Sequence, residues 1–154
     1  MRKAEVRERA RSVLDGRLQA LKPEERFKAP PKGWIRALRD ALGMSSAQLG
    51  RRLGKVSQSV DDWEKAEANG SIQLKTLRQA AEALGCSLVY ALVPKTSLDE
   101  FLHSHARKIA MRDLKRVAHT MKLEAQGADD DEWEARIDAY IRDKLRGRDI
   151  WNES

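Results

Sequence analysis

Between Trp34 and Gly85 the apolar positions fall into short runs at helical spacing, most of them closed by a glycine. Ile35, Leu38 and Leu42 recur at intervals of three and four, which puts one apolar face on a helix stopping at Gly43, a residue free to take the left-handed cap conformation. Ser45 or Ser46 then accepts from orphan amides and opens a second helix through Leu49 and Leu53, ended by Gly54. After that tight turn the pattern predicts a third helix from about Ser57 to Ala66. It has Val60 and Trp63 inward and Ser57, Gln58, Ser59, Asp61 and Asp62 outward. A fourth helix, carried by Leu74, Leu77, Ala80, Ala81 and Leu84, stops at Gly85.

The flanks extend this helical bundle. Val6, Ala10, Val13, Leu14, Leu18 and Leu21 form one stripe of a helix over residues 2–21, opposite an arginine-rich face and ahead of a linker at Pro30 and Pro31. This helix is either an arm toward a partner or a piece docked on its own fold. Residues 88–93, Leu-Val-Tyr-Ala-Leu-Val, are β-rich and stopped by Pro94. They read as one strand pairing with its copy in a second subunit, or as a fifth helix of the bundle. From Ser97 a long helix carries Leu98, Phe101, Leu102, His105, Ile109, Leu114, Val117 and Met121, ending near Gly127. The acids Asp129, Asp130, Asp131 and Glu132 start another, with Trp133, Ile137, Tyr140, Ile141 and Leu145 on its stripe. Ile150 and Trp151 read as a hook for another protein or as a loose tail. The expected fold is mainly α, in three parts: an N-terminal helix and linker (1–32), a helix-turn-helix domain (33–96) and a C-terminal helical region for dimer or partner contact (97–154).

The ordered string Leu49, Leu53-Gly54, Val60, Trp63-Glu64, Leu77, Ala81 and Leu84-Gly85 resembles the phage repressor/Cro (XRE) class of helix-turn-helix domains. That resemblance implies operator DNA as partner and base contacts from Ser57, Gln58, Ser59 and Asp62, with Gln58 suited to adenine, while pairing of the residue 88–93 strand with its copy would make a two-fold dimer. Against the usual pattern, Ser46 replaces a Gln that braces the next helix on DNA. Gly50 replaces an Ala, a loss of up to about 1 kcal/mol of helix propensity that would soften the second helix. Val56 stands where a Ser usually caps, which shifts the expected cap to Ser57. Residues 64–72, 74–84 and 88–94 are also similar to the family called mobile mystery protein A. That family implies an antitoxin-like repressor on a mobile element, encoded beside a Fic-domain toxin. Inhibitors of Fic enzymes carry Ser or Thr, then Glu four residues on, then Gly or Asn. Thr96–Glu100 and Thr120–Glu124 match the first two positions and fail the third at Phe101 and Ala125.

Charge agrees with a nucleic-acid partner. Residues 1–96 hold 19 Lys and Arg against 11 Asp and Glu, while residues 97–154 hold 11 against 13. Duplex affinity arises largely from counterion release by such cations, and Arg36, Arg51, Arg52, Lys55, Lys65 and Lys75 are the expected phosphate contacts. The single cysteine, Cys86, excludes an internal disulfide and reads as a packing thiol in a reducing cytoplasm. No apolar run approaches the roughly 20 residues needed to cross a bilayer. His103, His105 and His119 lack metal spacing, the acidic run lacks the alternation of a calcium loop, and no nucleophile elbow or phosphate loop is present. The reading is a non-enzymatic, cofactor-free DNA-binding repressor. Its alternatives are a protein-neutralising module that has lost DNA binding, for which Ser46, Asp61 and Asp62 speak, and a stand-alone plasmid or phage regulator without a toxin.

Overall fold

The computed structural model describes residues 2–120, 129–144 and 149–152, which fold mainly as α-helices. They are α1 (Lys3–Gln19), α2 (Trp34–Ala41), α3 (Ser46–Leu53), α4 (Ser57–Asn69), α5 (Leu74–Ala83), α6 (Leu98–Thr120) and α7 (Asp130–Lys144). Two compact units result, one from Lys22 to Leu92 and one joining Met1–Leu21 to Val93–Ser154. The three-part division read from the sequence thus becomes two units, because α1 packs on α6 within the second of them.

The unit Lys22–Leu92 is the four-helix arrangement of α2 to α5. Its core is Ile35, Leu49, Val60, Ala80 and Leu84, each from the apolar stripe of its own segment, and Leu38, Leu53, Trp63, Leu77 and Cys86 pack around them. Gly54 and Gly70 end α3 and α4 in the left-handed conformation, with φ of 66° and 80°. Because Gly70 rather than Ala66 marks the stop, α4 runs three residues further than its periodicity predicts.

Residues 88–93 form neither the strand nor the fifth helix that the pattern allowed; among the described residues there is no strand. A strand is completed by a neighbour's hydrogen bonds, and the fold offers this segment none within its own sheetless unit. Val89, Tyr90 and Leu92 therefore stand exposed, Val89 and Leu92 at 86% and 87%.

In the other unit, α1 is docked rather than reaching out as an arm. Asp15 accepts from the backbone N–H groups of Leu98 (2.7 Å) and Asp99 (3.1 Å), capping α6 from a different helix, and Gln19 donates to the Thr96 carbonyl at 2.6 Å. Ser97 adds its own cap, accepting from the Glu100 N–H at 3.0 Å. Buried Ala106 and Ile109 cluster with Ile150, Leu102 and Ile141 pack against them, and Ala110 and Ile137 are buried as well. Arg107 and Glu134 make a two-pronged ion pair between α6 and α7, which holds the Glu134 carboxyl below its ordinary range. Tyr140 donates to Asp113 at 2.7 Å, and that bond holds the Asp113 carboxyl low and the Tyr140 phenol high. The Ile150–Trp151 hook is occupied from within. Ile150 is buried, its carbonyl lies 2.9 Å from His105 Nε2, and the Trp151 ring stacks on His105 and Phe101. Met121, Glu124, Gly127 and Leu145 lie outside the described residues.

Candidate nucleic-acid interface

Two helices and a three-residue turn set the position of α4. Ser45 and Gln48 form a reciprocal capping box, with Ser45 Oγ accepting from the Gln48 N–H at 3.1 Å and Gln48 Oε1 from the Ser45 N–H at 2.7 Å. The chain leaves α3 through Gly54 and folds back so tightly that the Lys55 N–H reaches the Gly50 carbonyl at 2.7 Å. A Cβ on Gly50 would stand 2.6 Å from the Lys55 carbonyl oxygen. Gly50 is therefore a requirement of this turn, and the softening expected from its propensity is the wrong way to weigh it. Nor does the cap move to Ser57. Val56 is the extended N-cap residue, without a side-chain cap bond, and Ser57 is the first residue of α4.

The helix that would meet DNA carries Asp61, Asp62, Glu64 and Glu67 against Lys65 alone, an unpromising balance beside phosphates. Three of those carboxylates are turned to structural work. Glu64 is buried and accepts from Arg39 Nε at 2.5 Å and Nη2 at 3.2 Å, while Arg39 Nη1 donates to the Met44 carbonyl at 2.8 Å. The hydrogen bond to Glu64 is the main reason the Arg39 pKa is raised. Glu67 accepts from the N–H groups of Trp34 (2.9 Å) and Ile35 (2.8 Å), capping α2 from the far end of α4. Gly33 makes room for it, since a Cβ there would lie 2.6 Å from Glu67 Oε1. Asp61 is half-buried and accepts from Ser46 Oγ at 2.8 Å, so Ser46 braces α4 directly in place of the longer Gln.

What remains outward is Gln58, Asp62, Lys65 and Asn69, one exposed face at spacings of three and four. Gln58 Nε2 donates to Asp62 Oδ1 at 2.9 Å. Of the residues expected to read bases, Gln58 and Asp62 are thus brought together, Ser57 is exposed at the helix start, and Ser59 is half-buried at the edge of the face. Arg51, Lys55, Lys65 and Lys75 are exposed cations, and Arg36 is exposed with Asp40 3.7 Å away. Arg52 is placed differently: its Nε donates to the Ala83 carbonyl at 2.9 Å and caps the end of α5. Both α4 and α5 begin without side-chain cap bonds and without acids in the first turn, and α5 has Lys75 there. Such helix starts favour anions. Among the described residues no group of His, Cys, Asp and Glu is placed to hold a metal ion.

Sequence reading missed Arg39, Glu64 and Glu67. A signal was present: Glu64 follows Val60 by four and Arg39 follows Ile35 by four, so each charge lies on an otherwise apolar stripe. Glu100, from the partial Fic-inhibitor match, is exposed in the first turn of α6, and Glu124 lies outside the described residues.

The unit holds 12 Lys and Arg against eight Asp and Glu, so part of the basic excess counted from the sequence sits on α1 in the other unit. No described helix is long and apolar enough to cross a membrane. No curated protein and no solved structure matches the chain at a significant level. Residues 35–90 match the model of the family described as helix-turn-helix, a span that runs from the start of α2 to beyond α5. The match covers the stretch that builds α2 to α5 and supports the helix-turn-helix class for that unit.

Proposed function

We propose that the chain is a sequence-specific transcriptional repressor that binds operator DNA in the cytoplasm as a homodimer, with α4 in the major groove. The observation that carries this reading is the disposition of charge on α4. Three of its four acids are engaged by Arg39, Ser46 and the start of α2, which leaves Gln58, Asp62 and Lys65 on its exposed face, and Arg51, Lys55 and Lys75 are exposed in the same unit. Cations on phosphates fix the register, and Ser57 and Gln58 at the start of the helix meet base edges, with Asp62 bonded to Gln58 beside them. Exposed Val89, Tyr90 and Leu92 give a second copy an apolar surface at the end of the same unit. A reporter driven by the chain's own upstream region is the test. Repression by the native chain, lost with Gln58→Ala and Lys55→Ala, supports the reading; repression indifferent to both variants refutes it.

The finer reading is an antitoxin-like autoregulator of a mobile toxin–antitoxin operon with a Fic-domain partner. It rests on the resemblance of residues 64–94 to mobile mystery protein A. Val6, Val13 and Leu14 stay exposed on α1, a surface that suits a protein partner. A Fic-domain gene beside the coding sequence, whose product copurifies with this chain, is the expected result; without one, a stand-alone regulator of plasmid or phage genes is left.

A further inference from the structure

The one acid on α4 not turned toward the protein interior makes its bond to the residue best suited to read a base. Gln58 Nε2 donates to Asp62 Oδ1 at 2.9 Å, one turn further along the exposed face. An ionised carboxylate only accepts, so the amide nitrogen rather than its oxygen must face Asp62, and the orientation of the Gln58 amide is settled by chemistry. With one N–H given to Asp62, Gln58 keeps one N–H donor and the Oε1 acceptor.

The two purines present different edges to such a group. Adenine offers the N7 acceptor and an N6–H donor, which match one donor and one acceptor side by side; guanine offers N7 and O6, both acceptors. An unrestrained amide can turn both N–H groups toward guanine. A restrained one meets guanine with a single donor and sets its own oxygen against O6. We propose that Asp62 is a positioning residue for base readout: it holds the Gln58 amide in one orientation and thereby sets adenine over guanine at the contacted position. This deepens the proposed reading and rests on Gln58 contacting a base.

The same carboxylate repels phosphates, so the proposal separates affinity from specificity. Removing Asp62 raises attraction to every duplex while it frees the amide. A purely electrostatic role would tighten binding and leave base preference untouched. A purely structural role would lower stability, and Asp62, exposed near the start of α4, has no contact among those described whose loss would do so beyond the weak bond to Gln58.

The experiment uses the full chain, with Asp62→Ala, Asp62→Asn, Gln58→Ala and the Asp62→Ala/Gln58→Ala double variant. Duplexes bound from a random-sequence pool are sequenced, and the position whose preference disappears with Gln58→Ala is then titrated as adenine and guanine duplexes at fixed salt. The native chain is expected to prefer adenine by about tenfold or more, and Asp62→Ala to cut that ratio at least about threefold while binding both duplexes more tightly. Asp62→Asn, whose amide both accepts and donates, falls between them, and the double variant shows the preference of Gln58→Ala alone. Tighter binding with an unchanged ratio in Asp62→Ala overturns the proposal and leaves Gln58 as the reader. A selected sequence indifferent to Gln58→Ala overturns the underlying base contact, and the role of Asp62 with it.

Discussion

Replacing Arg39 by Met is the sharpest probe of what holds α4 in place. The side chains of Arg39 and Glu64 are only 11% and 8% exposed, and the guanidinium bonds both carboxylate oxygens and the Met44 carbonyl at once. Arg39→Met leaves the carboxylate buried beside the core without a cation, a loss of about 3–5 kcal/mol when one partner of a buried pair is removed. In a domain of this size each kcal/mol moves the midpoint by about 4–8 °C, so thermal unfolding of the helix-turn-helix unit should fall by at least about 12 °C. Arg39→Met with Glu64→Leu should recover most of that loss, because an apolar pair of similar volume replaces a buried ion pair at little net cost. The assay is hydrogen exchange of peptides from residues 34–84, read with a urea melt of each variant. A loss below about 1 kcal/mol for Arg39→Met, or strictly additive effects in the double variant, would refute the reasoning, since neither is compatible with a desolvated and coupled pair.

Further outcomes follow from the same geometry. Gly50→Ala gains up to about 1 kcal/mol of helix propensity but forces the α3–α4 turn open against the Lys55 carbonyl at 2.6 Å, an overpacking cost of about 1–3 kcal/mol, so a lower melting temperature and weaker DNA binding are expected. An unchanged or higher melting temperature would contradict this. Glu67→Ala removes the acceptor of two N–H groups at the start of α2 and should destabilise the unit by about 0.5–2 kcal/mol, with partial recovery in Glu67→Gln; equal stability of all three proteins counts against the cap. In the other unit, the Asp113 carboxyl is held below its ordinary value mainly by Tyr140. A depressed carboxyl contributes stability that is present above its unfolded pKa and lost as the pH falls through the folded value. Tyr140→Phe should therefore lower stability by about 1 kcal/mol at neutral pH, with the gap to the native chain closing in acid; a pH-independent gap would exclude the charge-assisted bond.

The apolar periodicity made α2 to α5 legible, because each helix buries one stripe and ends where a left-handed glycine is needed. What it hid are contacts between helices that are distant in sequence. Nothing local about Glu67 shows that its carboxylate caps α2, 32 residues earlier, and Asp15 on α1 likewise caps α6. Gly50 looked unfavourable because propensity describes an isolated helix, whereas its value lies in the approach of the Lys55 carbonyl. The acids of α4 looked hostile to DNA for a related reason: charge counts carry no direction, and Glu64 lies inward while Asp62 lies outward. The apolar character of residues 88–93 was plain, but composition cannot supply the hydrogen-bonding neighbour that a strand needs.

Affinity for the chain's own upstream duplex against a scrambled duplex, measured over a range of salt, tests the DNA-binding reading most directly. With Arg36, Arg51, Lys55, Lys65 and Lys75 exposed for phosphate, the logarithm of the binding constant should fall with the logarithm of salt at a slope of up to about −4.5 per protomer. The upstream duplex should be preferred by about a thousandfold or more. Weak binding that is equal for both duplexes and flat with salt would contradict DNA recognition and move the function of this domain to a protein partner.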